Sequence, residues 1–244
     1  QDSTTLKIYI NGILEATDSS LTGTETTNNT NLTFGSRQDA SGAFFPGQLD
    51  DVKIYNYARS AKQIVEDMNA GHPAVGSPVG SPIGHWKFDE GADNTCSGGT
   101  NDACNSGSQG STLDGTSTAT RSLSGKFGGT LDFDGTDDVV TITNATAIDL
   151  NDNLATAHSF SAWVYADTDG EGDVGQIYQK GTTTYLRVDT QSGSNLDIEA
   201  SLDLATTDAT LNISAPITTA GWNHILVTYE DDSDDEITIY INGL

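Results

Sequence analysis

Basic side chains are scarce in this chain: Lys and Arg number 10 against 35 Asp and Glu, giving a net charge of −25. A field of that sign repels nucleic acid and anionic membrane surfaces, and favours solubility and divalent cations. Nucleic acid is therefore not an expected partner. Long apolar runs are also lacking. Without about 18 consecutive apolar residues, no membrane insertion is expected. The opening Gln1-Asp-Ser-Thr-Thr5 is polar, so no signal peptide is read there, as in a mature or excised segment. Helix signals are nearly absent as well. Cysteines number 2, Cys96 and Cys104, and they bracket a polar loop with no His nearby. That makes a poor zinc site and points to a disulfide, hence to an oxidising compartment, extracellular or at the cell surface.

What is abundant is Thr, Ser, Gly, Asn and Asp, with short apolar runs between them. This is the composition of an extracellular all-β protein with many turns. One pattern stands above the rest. Ile237-Thr-Ile-Tyr-Ile-Asn-Gly-Leu244 nearly repeats Leu6-Lys-Ile-Tyr-Ile-Asn-Gly-Ile13, at a spacing of 231 residues (242 − 11). Such a repeat is expected of a window on a tandem array, or of a subunit joined head to tail with its neighbours.

Strands are expected at Leu6–Ile10, Leu131–Phe133, Val139–Ile142, Phe160–Tyr165, Gly175–Gln179, Tyr185–Val188, Leu196–Leu202, His224–Tyr229 and Ile237–Ile241. Asn11-Gly12 and Asn242-Gly243 read as type I′ hairpin turns. One short helix is expected near 60–69, with Ser60 as N-cap, Gln63 in the capping box and a Gly71-His-Pro73 stop. Residues 71–83, with Pro73, Pro78 and Pro82, read as a Gly/Pro/Ser linker. It divides a front segment, 1–70, from a body, 84–244, and neither looks complete alone.

In rotated order the sequence resembles the laminin G-like jelly roll of the concanavalin A-like lectin/glucanase superfamily, in the tandem-repeat type of large bacterial surface proteins. Gly84-His-Trp86-Lys-Phe88-Asp-Glu-Gly91 resembles the family's first strand. Gly125-Lys-Phe-Gly-Gly-Thr-Leu131-Asp-Phe133-Asp-Gly135-Thr-Asp-Asp-Val139 resembles its most recognisable stretch. Phe160-Ser-Ala-Trp163-Val, Gly221-Trp222-Asn-His224 and the Ile-Tyr-Ile-Asn-Gly hairpin follow. Leu32-Thr-Phe34-Gly-Ser36 then resembles the family's next strand, and Phe45-Pro-Gly-Gln-Leu49-Asp-Asp-Val52-Lys-Ile54-Tyr-Asn-Tyr-Ala58-Arg-Ser-Ala its closing strand and terminal helix. The resemblance implies an all-β antiparallel jelly-roll β-sandwich. Residues 1–70 would be the C-terminal half of one repeat and residues 84–244 the N-terminal part of the next. Trp163 and Trp222 are expected as anchors between the sheets.

Calcium takes six to eight oxygen ligands, which acidic turns supply. Asp134, Asp137 and Asp138, with Asp132, surround a Gly turn. Members of the resembled family often hold a structural calcium, and the pairing of first and last strands would join Asp89 or Glu90 to Asp51. Asp167-Thr-Asp169-Gly-Glu171-Gly172 imitates an EF-hand start, but Tyr178 stands at the twelfth position and the flanks are strands. Asn195-Leu-Asp197-Ile-Glu199 resembles the glucanase Glu-x-Asp-x-Glu strand, yet Asn195 occupies the nucleophile's place, so no enzyme is expected. His72, His85, His158 and His224 have no nucleophile placed by them in sequence.

Two functions fit. One is a non-catalytic structural or adhesive repeat module of a long surface protein or filament. It would be calcium-stabilised and assembled head to tail by strand complementation, with neighbouring copies as partners. The other is a calcium-dependent lectin binding glycans, with Tyr178 or Tyr185 stacking on sugar rings. The front segment would close the body of the next copy, or else its own as a permuted monomer. The sequence leaves open which.

Overall fold

Asn11 and Gly12 carry the two positive φ angles, 52° and 83°, that a type I′ turn needs. They fold β1 (Ser3–Ile10) back on β2 (Ile13–Thr22) as an antiparallel hairpin. The computed structural model describes residues 3–22, 30–38, 42–68, 82–90, 96, 103–143, 145, 148, 157–203, 209–231 and 237–241. Residues 71–81 of the expected linker, the Asn242-Gly243 turn and His72 lie outside the described residues. After the first hairpin come β3 (Leu32–Phe34), β4 (Pro46–Tyr55), α1 (Ala61–Met68), β5 (Gly84–Trp86), β6 (Gly115–Ser117), β7 (Thr120–Ser122) and β8 (Thr130–Asp134). The remaining strands are β9 (Val140–Ile142), β10 (Ala157–Ala166), β11 (Val174–Lys180), β12 (Thr184–Ser192), β13 (Asn195–Leu202), β14 (Ala209–Thr218), β15 (Trp222–Asp231) and β16 (Ile237–Ile241).

These strands form two sheets. The first has nine, ordered β2-β1-β16-β15-β10-β4-β8-β7 with β5 also on β4; the second has seven, ordered β14-β13-β12-β11-β3-β9-β6. Strands from residues 3–55 and from 84–241 interleave in both sheets. β4 lies between β10 and β8, and β3 between β11 and β9. The fold is an antiparallel jelly-roll sandwich with one short α-helix among the described residues, as the strand spacing and the resemblance imply.

Alternation along the strands builds the core. Val52, Ile54, Trp86, Leu131, Phe133, Phe160 and Val164 from the first sheet, with Phe88 just past β5, meet Phe34, Val140, Ile142, Ile177, Leu186, Val188 and Ile198 from the second. Trp86 is the central aromatic. Its ring meets Phe34 edge to face at 5.1 Å, and its Nε1–H donates to the Leu113 carbonyl at 2.8 Å. The expected inter-sheet anchors differ. Trp163 packs on the other side of the first sheet against Phe127 and His224, and Trp222 sits against Tyr165. On β10 the core takes Phe160, Ala162 and Val164, so strict alternation turns Trp163 away.

The helix starts as its capping box requires. The Ser60 amide donates to Gln63 Oε1 at 2.8 Å, and the Gln63 amide to Ser60 Oγ at 3.5 Å. Ile64 holds α1 to the outer face of the first sheet with Tyr9 and Leu226. Arg59 fixes its far end through two hydrogen bonds to Asp67, whose Oδ1 also accepts from Tyr55. Cys96 and Cys104 form a disulfide. It ties residue 96 to a segment that already bridges Ala103 to Gly115 and Asn105 to Trp86.

Candidate functional site

The edge of β15 is where the internal repeat acts. β10 occupies one side of β15. The other side offers a single row of N–H and C=O groups, and two strands address it. β16 pairs antiparallel from Ile225↔Ile241 to Thr228↔Thr238. β1 also pairs antiparallel, Thr4↔Asp231 and Thr5↔Glu230. At the other end of β1, Asn11 donates its amide to the His224 carbonyl and accepts from the His224 amide. Tyr9 clusters with Leu226, the residue with which Tyr240 is paired in the β15–β16 ladder.

Both strands therefore follow one register on β15, offset by the repeat spacing. They also pair with each other, in the one parallel pairing among the described strands, Leu6 with Ile237 through Ile10 with Ile241. Leu6, Ile8 and Ile10 are fully buried and belong to the core. β1 thus supplies the apolar face that closes the sandwich beside β15.

The second feature is the turn from β8 to β9. Asp134, Asp137 and Asp138 bring carboxylate oxygens within 4.8 Å of one another, the one group of three candidate ligands among the described residues. Gly135, with φ 74°, makes the turn tight. Asp134 Oδ1 accepts from the Thr136 amide at 2.8 Å, and Asp138 Oδ2 from the Asp134 amide at 3.0 Å. Burial raises the Asp138 pKa, and the neighbouring Asp134 and Asp137 charges add to it. A hard cation fits this oxygen set, since it would relieve the like-charge crowding.

The other expected ligands are not gathered there. Asp51 accepts from Lys53 at 2.6 Å and pairs with His85 Nε2. Burial opposes its ionisation, but the His85 and Lys53 partners hold its pKa below the usual carboxylate range. Glu90 accepts from the Cys104 amide at 3.1 Å and from Arg121 at 3.4 Å, and Asp89 Oδ1 from the Gly129 amide at 2.7 Å. In the Asp167–Gly172 turn, Asp169 is used to accept the Gln191 amide at 2.9 Å. The acidic run Asp231-Asp-Ser-Asp-Asp-Glu236 reads in the sequence as another hairpin tip, and its residues 232–236 lie outside the described residues.

Asp50, read in the sequence beside Asp51 as one of the acidic residues at the strand ends, has an environment the sequence did not announce. It is fully buried, Oδ2 accepts the Phe127 amide at 2.9 Å, and Oδ1 has no partner. A bulge puts it there. Asp51 has φ 51°, and the β4–β10 register slips between Ser161 and Trp163. Sequence reasoning missed a serine placed by a histidine. Ser161 Oγ lies 2.8 Å from His224 Nε2, with both residues buried. Burial pushes the His224 pKa down to about 3, and nearby Lys53 adds to the shift. That pair is sealed from any substrate.

On the second sheet, Tyr178 is buried and stacked on Phe160 at 4.1 Å, so its ring packs the core rather than facing a ligand. Tyr185 is half-buried, donates to Glu199 Oε1 at 2.7 Å and lines a pocket. Glu199 is further held by Arg187 at 2.6 Å, and Asp197 accepts the Ala215 amide at 2.7 Å. Asn195 stands exposed at the start of β13.

No helix among the described residues is long and apolar enough to cross a membrane. No curated protein and no solved structure matches the chain. Its sequence does match a family, over residues 1–65 and 134–244, the two stretches that carry the β1–β4 segment and the β9–β16 body. That match spans most of the sequence and agrees with the two-sheet sandwich: the chain belongs to the concanavalin A-like lectin/glucanases superfamily, in its laminin G type.

Proposed function

We propose that the chain is a non-catalytic, extracellular structural or adhesive module that joins to further copies of itself through the β15 edge. The observation that carries this reading is the shared register of β1 and β16 on that edge. One edge accepts one strand, so one of the two copies is in excess of what a single sandwich uses. A strand of identical pattern and register fits the same edge of a neighbouring copy, as in donor-strand complementation. The disulfide and the acidic surface agree with an oxidising, salty exterior. Calcium is the proposed ion of the module, held by Asp134, Asp137 and Asp138.

Light scattering of the full chain over a range of concentrations tests the reading. Species heavier than 25.6 kDa that grow with concentration are expected. A single monodisperse species of one chain's mass at every concentration would overturn it.

A lectin remains the second reading, favoured by the pocket beside Tyr185. A glycan array with calcium and with chelator separates the two. Tight, calcium-dependent sugar binding by a chain that stays monomeric would replace the structural role with this one.

A further inference from the structure

An open strand edge is by itself a poor judge of partners. Its N–H and C=O groups accept any extended chain, and side chains repeat their direction every two residues. The strand on the β15 edge sharpens the problem. Leu6, Ile8 and Ile10 are all fully buried in the core. A slip of two residues would put Ile8 in the place of Leu6, or Ile10 in the place of Ile8, and keep the same face inward. The apolar pattern therefore leaves the register nearly degenerate, and a group outside that pattern has to choose it.

Asn11 is placed to choose. It is 9% exposed and follows β1 directly. Its backbone amide donates to the His224 carbonyl, and its Oδ1 accepts from the His224 amide. Its Nδ2 donates to Asn223 Oδ1 at 3.5 Å, while Asn223 Nδ2 donates to the Gly221 carbonyl at 2.9 Å. A carboxamide both donates and accepts. Asp would set an acceptor against Asn223 Oδ1, and Ala would leave the His224 amide without its acceptor. The turn makes a second demand on the same residue, a φ of 52°, which Asn tolerates better than most side chains. His224 and Asn223 belong to β15, so the receiving strand carries the reader and the arriving strand carries the mark. The two strands on this edge also differ in reach. β16 pairs with residues 225–228. β1 holds both ends of the edge, Asp231 and Glu230 through Thr4 and Thr5, and His224 through Asn11.

We propose that the strand a copy receives on its β15 edge is the β1 strand of a second copy, and that the Asn11 carboxamide fixes its register against His224 and Asn223. This rests on self-association through β15, and adds which strand travels and which residue sets its position. The edge then favours strands of one code: apolar at three alternate positions, with Asn immediately after the third.

Disulfide trapping between singly substituted full chains tests it. The two native cysteines are tied to each other, so an added thiol is the reactive one. Thr5→Cys and Glu230→Cys stand at paired positions, and Thr228→Cys stands two residues along, at the slipped register. The Thr5→Cys chain is refolded with each of the other two, linked peptides are quantified by mass spectrometry, and untrapped mixtures are followed by light scattering. Links from position 5 to position 230 of another chain are expected to exceed those to position 228 about tenfold, the discrimination that one buried hydrogen bond gives. Asn11→Gly, added to the Thr5→Cys chain, keeps the turn because Gly takes positive φ without strain. It should cut that preference to about twofold or less. Mixtures that grow in mass without favouring position 230, or with a preference that Asn11→Gly leaves unchanged, would overturn the register lock and leave self-association standing. One chain's mass in scattering, with no link between chains, would remove self-association itself and the lock with it.

Discussion

At the residue scale, Asp50 and His224 make opposite demands on pH. Burial pushes the Asp50 carboxyl up to about 7; the Asp51 and Asp89 charges add to this, and the Phe127 amide opposes it. An unfolded Asp titrates near 3.9. Between those values the folded chain holds a proton that the unfolded chain has released, so this group's contribution to stability falls as pH rises from about 4 to about 7. His224 runs the other way. Its folded pKa, about 3, lies below the unfolded value near 6.5, so its contribution falls as pH drops through that window. Asp50→Asn keeps an acceptor for Phe127 and removes the proton exchange. Thermal melts at pH 4 and pH 8 should show the variant gaining on the parent by up to about 4 kcal/mol, at roughly 1.4 per pKa unit. A pH-independent difference would mean Asp50 does not titrate in that range. None of this was legible in the sequence. Asp50 owes its burial to a bulge at its neighbour and to the 124–129 segment above it, and both are tertiary. The Asp134, Asp137 and Asp138 cluster was legible, because one short turn holds all three.

At the element scale, the strands with β-branched and aromatic alternation were readable, and so was the Ser60 capping box. β2 and β14 were not foreseen. β2 carries Glu15, Thr17 and Asp18 among its apolar residues and lies at the edge of its sheet, while β14 contains Pro216 and edges the other. Edge strands bury little, so their sequences carry a weak alternation signal. The repeat was visible, and so was the competition of its two copies for one slot; their register on β15 was not, because register is a property of pairing rather than of composition. Proline removes a ladder hydrogen bond and distinguishes the two copies. Ile8 is fully buried in the core, so Ile8→Pro should lower stability by about 3 kcal/mol or more. Ile239→Pro should cost less than about 1 kcal/mol, since β1 already closes the edge in that variant. Urea unfolding of the two variants decides it. Equal losses, or the reverse order, would assign the edge to β16.

At the scale of the whole molecule, a charge of −25 destabilises the compact state through self-repulsion, and salt and calcium should relieve it by separable routes. Sodium chloride screens exposed carboxylates everywhere, so Tm should rise gradually with ionic strength and without saturation at low concentration. Calcium bound as proposed at the β8–β9 turn would act at one place, where Asp134, Asp137 and Asp138 converge, and its effect should saturate. At about 100 times its dissociation constant a site-bound ion adds about 2.7 kcal/mol. For a chain of this size that is about 5–10 °C in Tm. Magnesium should do less at equal concentration, because it demands a stricter octahedron and dehydrates reluctantly. Asp137→Asn removes one exposed carboxylate from the cluster. It should abolish the saturating calcium component and leave the sodium chloride slope intact, since one charge among 35 acidic residues hardly alters the overall field. Scanning calorimetry at matched ionic strength reads both components. A calcium effect no larger than that of equal ionic strength in sodium chloride, or one undiminished in Asp137→Asn, would remove the ion from this turn and leave its acidity as a solvated surface.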